Sequence, residues 1–492
     1  MRGAIVAARV ATRLSRRLGY HATAMPGVVA ERIDPDIIAE LREGLGPVVV
    51  VLGTNGKTTT TRLIAGILAR TGPEPMTNRS GANLRQGIAT ALIAGRRRGP
   101  APRRPGPGSP ARGPGSRRRP AVFEVDELAF SGLVRPLRPD VVVILNLLRD
   151  QLDRYGELDS IEDRLVADLG RLPLEAAVVT CADDPRLESL ARRISRLRLG
   201  ARPVARFGLT SGSTGAVAGT EVGVDRGGLG SPGTAGCPRC GGPLDYDGPS
   251  RAGIGAWSCP SCGSHRATPD LGVGIDGVDP TGCLQLRFTP RYPRADQAVV
   301  GPIGIRLTGT AGAHDAAAAA LAVMLLGVSP AAAIGGLDGA TPAFGRLEEI
   351  AVGDRTVILT LAKNPASFGH AAEAAATRHP DGLLIGLGDR AADGRDVSWI
   401  WDAELDRLPP GPPLTLTGSR AEDLALRFKY APAAERRGRA AEDIVVDEAI
   451  EHALEGALHR VGAGGTLMVL ATYTTLLRVR ERLRGGAMPT AA

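Results

Sequence analysis

The sequence predicts an α/β protein in two unequal parts: a large domain built on a parallel sheet, interrupted by a cysteine-rich insert, and a smaller α/β domain after it. Three observations carry this. A run of buried-type residues, Pro47–Leu52 (PVVVVL), runs straight into a glycine loop and then a helical stretch over 59–70. Further apolar β-type runs alternate with helical patterns along the whole chain, the spacing of parallel strands joined by crossover helices. Two Cys-x-x-Cys pairs stand eighteen residues apart near the middle.

Length and composition fit this. A chain of 492 residues exceeds one ordinary hydrophobic core, and 43% hydrophobic with 23% charged residues excludes a mostly disordered polymer. The net charge of +8 suggests a nucleic-acid partner only until it is located. Residues 96–120 hold nine arginines and no acid, so the rest of the chain is close to neutral, and that tract has no interleaved aromatics. Nucleic acid is therefore not an expected partner.

Taken in order, residues 4–19 form a short basic amphipathic helix with Val6, Val10, Leu14 and Leu18 at four-residue steps among arginines. Two readings stay open for it: packing on its own domain, or peripheral contact with a membrane surface. No run of 18 apolar residues exists, and the N-terminal arginines interrupt any signal-peptide core, so a cytoplasmic protein is expected. Strands follow at 47–52, 121–125, 140–145 and 176–180, with the Arg/Pro/Gly tract 96–120 read as a disordered insert. Strand-like residues at 283–288 and 303–307 and a helix at 312–326 close the first domain. Strands near 356–361, 383–387, 414–417, 443–446 and 466–471 make the second, Rossmann-like one. The expected division is 1–46, an N-terminal helical segment; 47–345, the central domain with inserts 96–120 and 233–268; and 346–492.

The loop Gly53-Thr54-Asn55-Gly56-Lys57-Thr58-Thr59 offers backbone N–H donors at a helix N-terminus, a lysine for β/γ-phosphates and a hydroxyl for Mg²⁺, so nucleotide binding is expected. Val51 stands where a strict Walker A sequence has its first glycine. The next strand ends in Glu124-Val125-Asp126-Glu127, where a carboxylate can hold the metal, and Asn146–Gly156 ends the following strand with Asp150, Asp153 and Arg154. Cys237, Cys240, Cys259 and Cys262 have the spacing of a closed, structural Zn²⁺ ribbon. In the second domain, Leu361-Ala-Lys363-Asn364-Pro365 ends one strand, and a loop over 388–402 packs four acids and two tryptophans after another.

Together SGANLRQGI (80–88), FEVDE (123–127), LRDQLDRYGELD (148–159), ADDP (182–185), the four-cysteine insert, PAFGRLE (342–348), LAKNP (361–365) and DRAADGRDVSWIWD (389–402) resemble the Mur ligase family. Within it they are similar to the MurT branch, the synthetase subunits of lipid II isoglutaminyl synthase. The resemblance covers roughly 20 to 485. It implies a Mur ligase-type ATPase domain and ATP-dependent amidation of the D-glutamate α-carboxylate in the lipid II stem peptide, through an acyl phosphate. Ammonia would come from a separate class I glutaminase subunit (GatD-like), in a heterodimer contacting the C-terminal domain. The resemblance also implies Glu124 as a metal-side carboxylate, Asp315 and Arg346 on the nucleotide side, and Asp396 completing a Cys-His-Asp triad with the partner's histidine. Two departures stand out: Ala311-Gly-Ala-His314-Asp315 replaces the family's asparagine-bearing pattern, and Ser367 replaces a glycine. Cys181 and Cys283 lack the strand-to-helix elbow of a glutaminase nucleophile, so an external ammonia source is expected. A free-standing Mur- or folylpolyglutamate-type ligase that adds an amino acid is the alternative.

Overall fold

A computed structural model of the chain describes residues 1–17, 24–78, 82–96, 118–148, 158–210, 236–247, 253–279, 283–292, 298–340, 346–390, 392–432, 435 and 444–485. Of the expected features, most of the 96–120 insert and Asp150, Asp153 and Arg154 lie outside the described residues.

Two sheets organise the chain. The first has nine strands: β1 (Val48–Leu52), β2 (Met76–Thr77), β3 (Ala121–Glu124), β4 (Val141–Ile144), β5 (Ala177–Cys181), β6 (Ala205–Leu209), β9 (Leu271–Val278), β10 (Leu284–Pro290) and β11 (Val300–Ile305). A two-stranded ribbon, β7 (Asp245–Tyr246) and β8 (Trp257–Ser258), is inserted between β6 and β9. The sheet order is β11-β10-β9-β6-β5-β4-β1-β3-β2. The strands from β2 to β9 pair in parallel, and β9, β10 and β11 close the edge as an antiparallel meander. The sequence expectation of a parallel sheet thus holds for its centre and gives way at one edge. There the connections, of five residues between β9 and β10 and nine between β10 and β11, are shorter than a crossover needs.

β1 reads Val-Val-Val-Val-Leu because both of its faces are covered; all five residues are buried. The helices Lys57–Thr71 and Gly309–Leu325 pack against each other and against this sheet. The latter is alanine-rich and buried on almost every side, because small side chains let a helix lie close over the sheet.

The second sheet has six strands: β12 (Arg346–Val352), β13 (Arg355–Leu361), β14 (Gly382–Gly386), β15 (Leu414–Thr417), β16 (Val445–Asp447) and β17 (Thr466–Ala471). Its order is β12-β13-β17-β14-β15-β16, parallel except for the β12–β13 hairpin. The hairpin strand β12 is absent from the sequence reading. Its Arg-Leu-Glu-Glu-Ile-Ala-Val alternates too weakly to stand out from a loop. Clusters separate from that of the first sheet cover its two faces. No described helix is long and apolar enough to cross a membrane.

Candidate functional site

The phosphate loop sits between the end of β1 and the Lys57–Thr71 helix. Gly53 and Gly56 take φ of +132° and +88°, and a Cβ at Gly56 would come within 2.3 Å of Asp315 Oδ1, so glycine is required there. The Lys57 ammonium folds back on the Gly53 carbonyl and lies 3.3 Å from Glu127 Oε1, which also accepts from Gly53 N–H at 2.8 Å. Thr54 is a loop fastener: its hydroxyl donates to Leu148 O and accepts from Leu148 N–H. Asn55 exchanges two hydrogen bonds with Asn146, at 3.0 and 3.1 Å. Thr58 is exposed at the mouth, while Thr59 turns into a neighbouring cleft.

Glu124 occupies the end of β3, its backbone clamped by the Asn78 side chain through bonds of 2.8 and 3.1 Å. It is buried, and its Oε2 has no hydrogen-bond partner among the described residues. A buried carboxylate oxygen without a partner is costly unless a ligand satisfies it. A hard cation beside the phosphate loop would do so, and the oxygen-donor chemistry suits Mg²⁺.

Asp315, on the Gly309–Leu325 helix, is buried and accepts from Thr60 Oγ1 at 3.2 Å. It lines two adjoining clefts. One holds Asn55, Gly56, Asn146, Cys181, Ile254 and His314; the other holds Thr59, Arg306, Thr308, Leu347, Thr360 and Ser367. The second cleft lies between the two sheets. From one lobe to the other, the Asn55 and Asn364 side-chain amides bond reciprocally at 3.3 and 3.4 Å. Asn364 itself starts the Pro365–Arg378 helix with a capping box to Ser367. The Arg346 backbone is in β12, and its side chain lies outside the described residues.

Beside the first cleft the sequence reading missed a buried polar cluster. Asp183, wholly buried, accepts from His314 Nε2 at 2.7 Å and Leu209 N–H at 2.7 Å, and pairs with Arg266. The Cys181 sulfur lies within 4.8 Å of the ligand atoms of both Asp183 and His314. Burial pushes the Cys181 thiol up. Burial opposes ionisation of Asp183, but the His314 hydrogen bond and charge and Arg266 outweigh it, so its carboxyl is held below the usual range. Burial likewise works against a charged His314. The Asp183 carboxylate, 2.7 Å from Nε2, overcomes it and raises the imidazole well above 6.5. Asp184 is pushed up to about 6 by burial, although it caps the Pro185–Leu197 helix and accepts from Leu147 N–H. Sequence spacing could not reveal this cluster, since its members come from β5, the Gly309–Leu325 helix and the ribbon.

The four cysteines gather as expected. Cys237 Sγ lies 3.6 Å from Cys262 Sγ, Cys240 Sγ lies 3.6 Å from Cys259 Sγ, and all four are within 4.8 Å of one another. A tetrahedron with Zn–S bonds of about 2.3 Å has edges of about 3.8 Å, so this donor set fits a closed Zn²⁺ site. The ribbon is docked on the site: Trp257 Nε1 donates to Ala182 O at 3.2 Å, Gly255 N–H donates to Asp183 O at 2.9 Å, and Ile254 forms cleft wall.

On the second sheet, the loop after β14 is fixed by Asp393, which is buried and accepts from Thr474 N–H at 2.7 Å. Asp396 on the same loop is exposed, and hydrogen bonds from Ser398 hold its carboxyl below the usual range. It is a charged acceptor presented outward, and Trp401 nearby in sequence is half exposed over the Arg427 guanidinium.

A phosphate loop with an acidic strand end, beside a cleft between a large sheet and a smaller one, is the arrangement of the Mur ligase fold. The pseudomurein peptide ligase type C of Methanothermus fervidus superposes with a TM-score of 0.61 at 19% identity, over 91% of this chain and 80% of that one. MurF of Thermotoga maritima, solved in complex with ADP, gives 0.57 at 17% identity, over 92% and 83%. Residues 361–476 match the family described as MurT ligase C-terminal. The chain is 30% identical over 484 residues to the lipid II isoglutaminyl synthase (glutamine-hydrolyzing) subunit MurT of Streptococcus pneumoniae, covering 97% of this chain and 96% of the relative. The Staphylococcus aureus (strain COL) subunit of the same name is 28% identical, over 87% of each. The chain belongs to the MurT family of ligases.

Proposed function

We propose that this protein is the synthetase subunit of a lipid II isoglutaminyl synthase, converting the α-carboxylate of D-glutamate in the lipid II stem peptide to the amide. The observation that carries the reading is the match to MurT relatives along nearly the whole chain. The phosphate corner agrees with it.

Gly53–Thr59 would hold the phosphates of ATP, with Asp315 and Arg346 on the nucleotide side. Thr58 and the Glu124 carboxylate would hold Mg²⁺, which would supply charge neutralisation at the phosphates. Lys57 leaves its resting contact with Glu127 for the β/γ-oxygens, the compact ammonium acting as a point charge. The substrate carboxylate oxygen attacks the γ-phosphorus, ADP departs, and an acyl phosphate forms. Ammonia attacks its carbonyl carbon, the C–O bond breaks, inorganic phosphate leaves, and the extra protons pass to solvent or phosphate. Positioning and preorganised charge supply the catalysis.

Ammonia comes from a separate class I glutaminase subunit docked on the C-terminal domain, 346–492. Asp396 there orients that subunit's catalytic histidine. Zn²⁺ at Cys237, Cys240, Cys259 and Cys262 is structural. The domains follow the division 1–46, 47–345 and 346–492, and the setting is cytoplasmic.

The test is product mass with lipid II, ATP and ammonium chloride, then with glutamine and a candidate glutaminase. Loss of about one mass unit with ammonium alone, and with glutamine only when the partner is present, is the expected result. Gain of an amino-acid residue without a partner would replace this reading by the free-standing ligase.

A further inference from the structure

The first 33 residues carry six arginines against one acid, Glu31, and Glu31 is already paired with Arg85. They also hold six of the eighteen exposed large hydrophobic side chains among the described residues: Met1, Val6, Val10, Met25, Val28 and Ile33. Asp34 and Glu40, just beyond, pair with the Met1 ammonium. Single exposed apolar residues are ordinary, but this density beside an excess of arginines is not.

The helices explain how both features come to be outside. The Arg2–Arg17 helix buries Ala4, Ile5 and Ala8 and packs on the Met25–Ile33 helix. Arg2, Val6, Arg9 and Arg13 then follow one another at four- and three-residue steps on the opposite side, with Val10 alongside. Val6 is 61% exposed and Val10 47%. The Met25–Ile33 helix adds exposed Met25, Val28 and Ile33 beside Arg32. Small apolar side chains interleaved with arginines suit the boundary of an anionic bilayer, where the stems lie in the acyl region and the guanidinium groups meet lipid phosphates. A nucleic acid would use the arginines and leave the valines in water.

We infer that this face docks peripherally on an anionic membrane surface. This deepens the proposed function and rests on it for its purpose: a substrate anchored in a bilayer by its lipid is met faster by an enzyme held at that bilayer. None of its residues lines the clefts beside the phosphate loop, so its loss leaves the chemistry intact.

The test is co-sedimentation of the full chain with phosphatidylcholine vesicles and with phosphatidylcholine–phosphatidylglycerol vesicles, neither containing lipid II. Binding to the anionic vesicles only, weakened by salt, is expected. Arg9→Ala with Arg13→Ala lowers the partition coefficient about thirty-fold, and Val6→Ser with Val10→Ser lowers it at unchanged charge. All four substitutions leave the melting temperature and ammonium-dependent amidation of detergent-solubilised lipid II unchanged. Absence of binding to anionic vesicles by a chain that amidates in detergent overturns this inference alone. Failure of amidation in detergent overturns the proposed function alone. Arginine-dependent binding to single-stranded RNA with none to vesicles assigns the face to nucleic acid and also overturns the inference.

Discussion

Replacing Arg266 by alanine should loosen the central lobe from a single point. Its guanidinium, mostly buried, pairs with the fully buried Asp183 and also donates to Leu209 O at 2.9 Å. Removing one member of a buried pair typically costs 3–5 kcal/mol, because the other charge is left without compensation. Here Asp183 keeps His314 and the Leu209 N–H, so the cost falls at the lower end, about 3 kcal/mol, a change of roughly a hundredfold in the unfolding equilibrium. Trp257 reports it directly: it is buried on the ribbon and bonded to Ala182 O. Urea unfolding followed by Trp257 fluorescence, with Trp399 and Trp401 changed to phenylalanine, isolates the signal. Adding Asp183→Asn to Arg266→Ala removes the stranded charge and should recover part of the loss. An unfolding free energy within about 0.5 kcal/mol of the parent, or no recovery in the double variant, would refute the view that Arg266 holds the Asp183 charge.

Other outcomes follow from the same geometry. Glu124→Gln keeps the shape but weakens the oxygen that lacks a partner, so Mg²⁺ dependence of ATP turnover shifts about tenfold to higher metal; titration of activity against Mg²⁺ reads it. Cys259→Ser lowers bound zinc from one per chain to a substoichiometric level by metal analysis, and it weakens nucleotide affinity because Ile254 and Arg266 lose their support. Asp396→Asn abolishes glutamine-dependent amidation while ammonium-dependent amidation persists, by product mass. The Asp183–His314 pair sets a pH window. The contribution of His314, raised above 6.5, is complete below that pH and lost as pH rises through its folded value. That of Asp183, lowered from 3.8, is complete above 3.8 and lost as pH falls. His314→Gln should flatten the alkaline side of the stability profile in urea melts.

Much of the fold was legible because the parallel strands are short, fully apolar runs bounded by glycine and acid. Val48–Leu52 and Thr466–Ala471 announce themselves. β12 did not, since its Arg-Leu-Glu-Glu-Ile-Ala-Val neither runs apolar nor alternates cleanly. The phosphate loop and the ribbon could be read because their chemistry depends on neighbours in sequence. The pairing of Lys57 with Glu127, of Asn55 with Asn146 and Asn364, and of Asp183 with His314 and Arg266 could not. Each joins residues at least 70 positions apart. Asn146 lies two residues past β4 and Glu127 three past β3, so a rule that polar residues at strand ends meet at the sheet crest would have suggested them without fixing their partners.

The reciprocal amides of Asn55 and Asn364 make the phosphate loop a strain gauge for the angle between the two lobes. Two hydrogen bonds of 3.3 and 3.4 Å fail together if the lobes swing apart by even an ångström or two. Asn55 also exchanges two bonds with Asn146, so that swing is transmitted to the crest of the large sheet rather than absorbed locally. Hinge position and phosphate grip are thereby one variable. A substitution that changes the angle between the lobes is therefore expected to change nucleotide affinity, with no contact to the nucleotide itself.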